Sequence, residues 1–103
     1  TAAGIARGFV TRDPAGGNRA DTTDTAANII AAMGLSSGDR FWWMMYNSAD
    51  AAETSTLTGG TDVTILDGSA GSDIAVAQYY SVRYECIVNS ATTIVMIPFL
   101  SAA

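Results

Sequence analysis

Six consecutive side chains, Phe41-Trp42-Trp43-Met44-Met45-Tyr46, are apolar or aromatic. Successive side chains of a strand point to opposite faces, so Phe41, Trp43 and Met45 fall on one side and Trp42, Met44 and Tyr46 on the other. Both sides of such a strand need cover. The last apolar run behaves alike, with Ile94, Met96, Pro98 and Leu100 opposite Val95, Ile97 and Phe99. Residues 79–88 instead divide into an apolar face (Tyr80, Val82, Tyr84, Cys86, Val88) and a mixed one (Tyr79, Ser81, Arg83, Glu85, Ile87).

With 103 residues the chain supports one domain and one core. A second sheet and a helix could cover both faces of the two runs within one subunit. Alternatively, another copy of the chain covers one of them. The second reading is expected here, because one short helix covers only part of such a sheet. Its candidate self-association residues are Trp42, Met44, Tyr46, Val95, Ile97 and Phe99.

The helix is read over residues 25–33. Thr22, Thr23 or Asp24 can cap its start, and Gly34 suits its left-handed end. Ala26, Ile29, Ile30 and Met33 form its apolar stripe. Strands are expected at 41–47, 54–58, 63–66, 75–88 with a break near Gln78, and 92–100. Twelve threonines favour the same all-β answer, a sandwich or barrel with one short helix. Pro98 cannot donate to a ladder, so the last strand is expected to leave the sheet there. Residues 1–20, rich in Gly and Ala, read as an N-terminal arm or edge strand followed by a turn at Asp13–Gly17, ahead of the domain at 21–103.

Composition closes several routes. The chain has no histidine, and its five cationic side chains are all arginine, against ten acids and a net charge of -5. Histidine-based triads, most zinc sites and most proton shuttles are excluded, so no enzyme, cofactor or metal is expected. The acids mostly sit in turns. The oxygen-rich loop at 67–73 lacks the spacing of a calcium loop and reads as a solvated turn, as does Asn47–Asp50, while Gly16-Gly17 and Gly59-Gly60 open no helix behind a strand, precede no lysine and read as turns and not phosphate loops. Scattered arginines on an acidic chain do not suit nucleic acid or a membrane surface. No apolar run is long enough to span a bilayer, and no secretory leader is expected in this form of the chain. Cys86, the single cysteine, reads as a buried strand residue without a base to ionise it.

The order of elements adds a resemblance. "DTTDTAANIIAAM", "GDRFWWMMYNSA", "STLTGGTDVTILDGS" and "NSATTIVMI", in that order, resemble a small β domain of tailed-bacteriophage virion proteins. The likeness covers about residues 21–97, and its specificity lies in the order of the motifs. It implies an antiparallel jelly-roll-like β-sandwich, commonly a homotrimer, that serves as a capsid decoration (cement) protein. The implied partner is the major capsid protein and the implied location the outer capsid surface of the virion. The Trp42–Met45 run departs from the stricter alternation of such domains.

On this reading the arm orders on the shell through Ile5, Arg7, Phe9, Val10, Arg12 and Arg19, with Arg7, Arg12 and Arg19 meeting shell carboxylates. Deleting residues 1–12 is then expected to abolish capsid binding and spare the fold. The alternative is a receptor- or carbohydrate-binding knob or fibre domain, with Tyr79 or Trp42 stacking on a sugar ring.

Overall fold

A computed structural model of the chain describes residues 1–49, 51–66 and 75–101. The loop at 67–73, Asp50 and the last two residues lie outside the described residues. The elements are α1 (Ala2–Arg7), β1 (Phe9–Arg12), β2 (Arg19–Thr22), α2 (Ala26–Met33), β3 (Arg40–Asn47), β4 (Ser55–Thr58), β5 (Val63–Ile65), β6 (Ala75–Val76), β7 (Ser81–Ser90) and β8 (Thr93–Ser101). The protein is mostly β. Its strands form a five-stranded sheet, β1-β3-β7-β8-β5, and a three-stranded sheet, β2-β4-β6.

Both sheets are mixed, which corrects the purely antiparallel expectation. β1 runs parallel to β3, β2 to β4 and β5 to β8. The reason lies in the route of the chain. From β1 to β2 it passes from the large sheet to the small one, and from β3 to β4 it repeats that crossing. Two passes in the same sense place like-directed strands side by side.

α2 forms over the expected stretch, but its cap is Thr25, one residue beyond the expected candidates Thr22, Thr23 and Asp24. The Thr25 hydroxyl accepts the Asn28 N–H at 3.2 Å, and Gly34 closes the helix at φ 65°. Ala26 and Ile29 are fully buried, while Ile30 and Met33 pack on the core from its margin. Eight residues are too few for a stable isolated helix, so this packing holds it.

The expected arm is part of the domain. Residues 2–7 form a second helix, capped by Thr1, whose hydroxyl accepts the Gly4 N–H at 3.1 Å, and ended by Gly8 at φ 86°. Its Ile5 is 2 % exposed and belongs to the same apolar cluster as Trp43, Met45, Leu57 and Tyr84. Burying one such side chain is worth about 1.5–3 kcal/mol, which adds to the helix hydrogen bonds and the β1–β3 pairing in holding the segment down. β1 then pairs along β3 from Phe9–Met44 to Arg12–Asn47, as the edge strand of the large sheet.

β8 also differs from expectation. It stays paired with β7 past Pro98, to Ser81–Ser101. Pro98 is tolerated because β5 pairs only with residues 94–96, so the opposite side of β8 has become an edge by Pro98.

Glycine is required at the Gly59-Gly60 turn. A Cβ on Gly59 would overlap the Val63 carbonyl oxygen, and one on Gly60 the Thr23 carbonyl oxygen. The close approach lets the Gly60 N–H donate to the Thr23 hydroxyl at 2.8 Å and the Ala26 N–H to the Thr61 carbonyl at 3.0 Å. The turn thereby locks the start of α2 onto β4.

Two outcomes follow from this packing. Gly60→Ala lowers the unfolding free energy by at least about 2 kcal/mol in urea titration, through steric overlap with backbone. Deleting residues 1–12 removes Ile5 and a whole strand, so the truncated chain melts well below the intact one instead of keeping its fold.

Candidate functional site

The large sheet has one buried and one exposed face. Trp43, Met45, Val82, Tyr84, Cys86, Val88, Ile94 and Met96 point into the core, and the Trp43 and Tyr84 rings stack there at 4.7 Å between centroids. Residues of the small sheet and both helices belong to the same core cluster. None of this covers the outer face.

Strand register arranges that outer face in rows. Met44, Arg83 and Phe99 form one row, which Phe9 extends through β1. Trp42, Glu85 and Ile97 form the next. Trp42 is 55 % exposed, Phe9 50 %, Phe99 48 % and Ile97 41 %. Large apolar side chains exposed together in this way mark an interaction surface more often than a chance arrangement. Two hollows, of about 420 and 500 Å³, flank Trp42, which lines both together with Glu85.

Alternation along the strands thus places Trp42, Met44, Tyr46, Val95, Ile97 and Phe99 on one sheet face. The alternative reading, in which a single subunit buries both faces of β3, fails at Trp42. Phe9, read as part of the arm, joins the same face; its cue was the short Gly8–Thr11 run beside an apolar partner strand.

The charges on this face are few. Arg83 and Glu85 stand two residues apart on β7, Nε to Oε2 3.8 Å, each about half exposed. The Arg83 guanidinium carbon lies 5.4 Å from the centre of the Phe99 ring, a cation–π distance. Solvent screens an exposed pair of this kind, so alone it adds little to stability.

The remaining residues expected to bind a shell disperse. Ile5 is in the core and Val10 packs against it. Arg7 ends α1. Arg12 makes a two-pronged ion pair with Asp21, Nε to Oδ2 2.6 Å and Nη2 to Oδ1 3.1 Å, which raises its pKa chiefly through the hydrogen bond. This pair joins β1 to β2, the edge strands of the two sheets. Arg19 donates to the Ala15 and Asn18 carbonyls of its own turn. A single arm surface therefore does not exist: four of the six side chains serve the fold, and Phe9 belongs to the outer face.

Other polar groups are likewise structural. Asp24 accepts from Asn28 Nδ2 at 2.7 Å, from the Thr25 N–H at 2.8 Å and from the Ala2 N–H at 3.3 Å, and these bonds, the Asn28 one foremost, hold its pKa down. Asp39 accepts the Ser36 N–H at 2.7 Å. Tyr79 and Trp42, the two aromatics considered for sugar stacking, lie apart. The Tyr79 N–H donates to the Asn47 carbonyl, at the opposite end of β3 from Trp42.

Cys86 lies inside the sheet core, and burial, reinforced by the Glu85 charge, pushes its thiol up to about 12. The Trp43 indole partly offsets this shift without meeting hydrogen-bond geometry.

No protein-family model matches the chain, and no curated protein or solved structure matches it either. Among the described residues, no helix is long and apolar enough to cross a membrane.

The thiol supplies a pH test. Above the ordinary thiol value of 9.0 the unfolded chain loses the Cys86 proton while the folded chain keeps it to about 12. Unfolding therefore releases a proton in that window, and stability falls as pH rises through it. The slope is shallower in Cys86→Ala, read by urea titration at successive pH values. In native protein the thiol resists a disulfide reagent at neutral pH and reacts promptly once unfolded.

Proposed function

We propose that this chain is a structural protein of a virus particle, a capsid decoration protein that binds the outer shell and stabilises joints between major capsid subunits. One observation supports the reading: Phe9, Trp42, Ile97 and Phe99 stand exposed on one face of the large sheet, beside the half-buried Met44. A decoration protein works by burying area at joints, so its function resides in such surfaces. The order of sequence motifs resembling phage virion domains supplies the setting.

The accompanying fold reading is a jelly-roll-like sandwich. What supports it is the alternation of successive strands, from β1 to β7, between two sheets that share core contacts. The parallel pairs make this a variant of that scheme. Shell contact through a flexible N-terminal arm is not part of the proposal, because α1 and β1 are packed into the domain.

The reading is tested by sedimentation. The purified protein is expected to pellet with intact particles of the virus that encodes it and to raise the temperature at which they release their genome. Protein that stays in the supernatant at every concentration, with no shift in that temperature, would overturn the proposal.

A further inference from the structure

The outer face carries more than apolar surplus: its pattern specifies an occupant. Its two central rows read Met44-Arg83-Phe99 and Trp42-Glu85-Ile97 across β3, β7 and β8. The only charges in these rows are one arginine and one glutamate, adjacent on the middle strand and straddling the position of Tyr84. A two-fold axis lying along the sheet surface, at right angles to β7 and over Tyr84, reverses strand direction and exchanges the two rows. Arg83 then faces Glu85 of the second copy, Trp42 faces Met44 and Ile97 faces Phe99. One row further out, Arg40 meets Tyr46 by the same operation.

We propose that the outer face of the large sheet is completed by the same face of a second copy, packed about a two-fold axis that crosses β7 at Tyr84. The inference rests on reading this face as an assembly surface, and it replaces the three-fold assembly that the resemblance implies with a pair.

Three physical points favour a second copy over an unrelated partner. First, the pattern is its own complement: each charge meets its opposite, and the pairs exclude water from both. Second, the relief fits. Trp42 is the most exposed large side chain of the two rows, and the axis delivers it over the second copy's Met44, into the hollow that Met44, Arg83 and Phe99 line together with that copy's own Trp42, Glu85 and Ser101. Indole against thioether is a favourable contact.

Third, the size suffices. Eight residues at about 3.4 Å and four strand spacings of about 4.8 Å give a face of roughly 500 Å² in projection. With side-chain relief added, two such faces reach the lower end of the roughly 1,200–2,000 Å² buried in specific complexes. Aligned packing of sheets keeps strand directions within about 30°, which leaves the central pairs in register.

The test is solution mass with a charge swap. Light scattering on the wild type is expected to give twice the 10.7 kDa chain mass at tens of micromolar, falling toward one chain on dilution. Arg83→Glu or Glu85→Arg alone places like charges across the axis and weakens pairing by at least roughly tenfold. The double variant R83E/E85R restores it to near the wild-type value. Both side chains are about half exposed, so all three variants are expected to fold, which circular-dichroism melting checks separately.

A mass of one chain at every concentration, a mass of three chains, or a double variant no better than the singles would each overturn the proposal. Particle sedimentation is read independently. A protein that pairs but never pellets with virus keeps this inference and loses the virion setting, and one that pellets as a single chain does the reverse.

Discussion

Asn47 is the residue on which the two-sheet arrangement depends. It ends β3 and is fully buried, a costly place for an amide unless every polar atom finds a partner. Every one does. Its Nδ2 donates to the Glu53 carbonyl at 2.9 Å and the Val76 carbonyl at 2.8 Å, and its Oδ1 accepts the Ala49 N–H at 3.0 Å. Its backbone N–H donates to Tyr80 and its carbonyl accepts from Tyr79. One side chain therefore joins the end of the large sheet to β6 of the small sheet and to the loop that leads into β4. An apolar residue there would leave two carbonyls and an amide unpaired, so the polar corner fixes where the chain changes sheets.

From that corner the division of faces follows. With β4 and β6 held next to the end of β3, the small sheet contributes Leu57 and Val76 to the core cluster, and α1 and α2 contribute Ile5 and Ile29. The inner side of β3 is thereby filled with Trp43 and Met45. The alternate residues are left outside, and three of those positions, Trp42, Met44 and Tyr46, are apolar or aromatic although they face away from the core of the described residues. On the proposed reading the reason lies in what meets that face.

Much of this was legible in the sequence where local chemistry and periodicity agree. α2 was readable from its stripe and Gly34, although its cap is Thr25 and not Thr22, Thr23 or Asp24. β7 was readable from a two-residue period over ten positions, and the shared face of Trp42, Met44, Ile97 and Phe99 from alternation alone. α1 was not, because Ala-Ala-Gly-Ile-Ala-Arg holds one large apolar residue, and much of what holds the helix is distant in sequence: the core cluster that takes Ile5 and the Asp24 carboxylate that accepts the Ala2 N–H. β2 was hidden for a similar reason: Arg-Ala-Asp-Thr has no apolar rhythm, and its place is set by pairing with β4 and by the Arg12–Asp21 bridge. Parallel pairing is equally silent in sequence, since it is a property of the route and not of any segment. Asn47 itself looked like the polar end of an apolar run, with nothing to distinguish a buried hub from a solvated turn.

Pro98 acquires a further meaning from its position. An open sheet that adds strands edge to edge can grow without limit, and proteins blunt such edges with short strands and proline. β5 is three residues long, and beyond it the free side of β8 meets a residue with no N–H to offer. β1, at the other edge, is only four residues long, and its Arg12 is turned toward the small sheet by Asp21. Lateral extension is thus discouraged on both flanks while the broad face stays open. Association by stacking terminates once two faces are joined, so the same proline that shortens the ladder biases this chain toward finite particles and away from fibres.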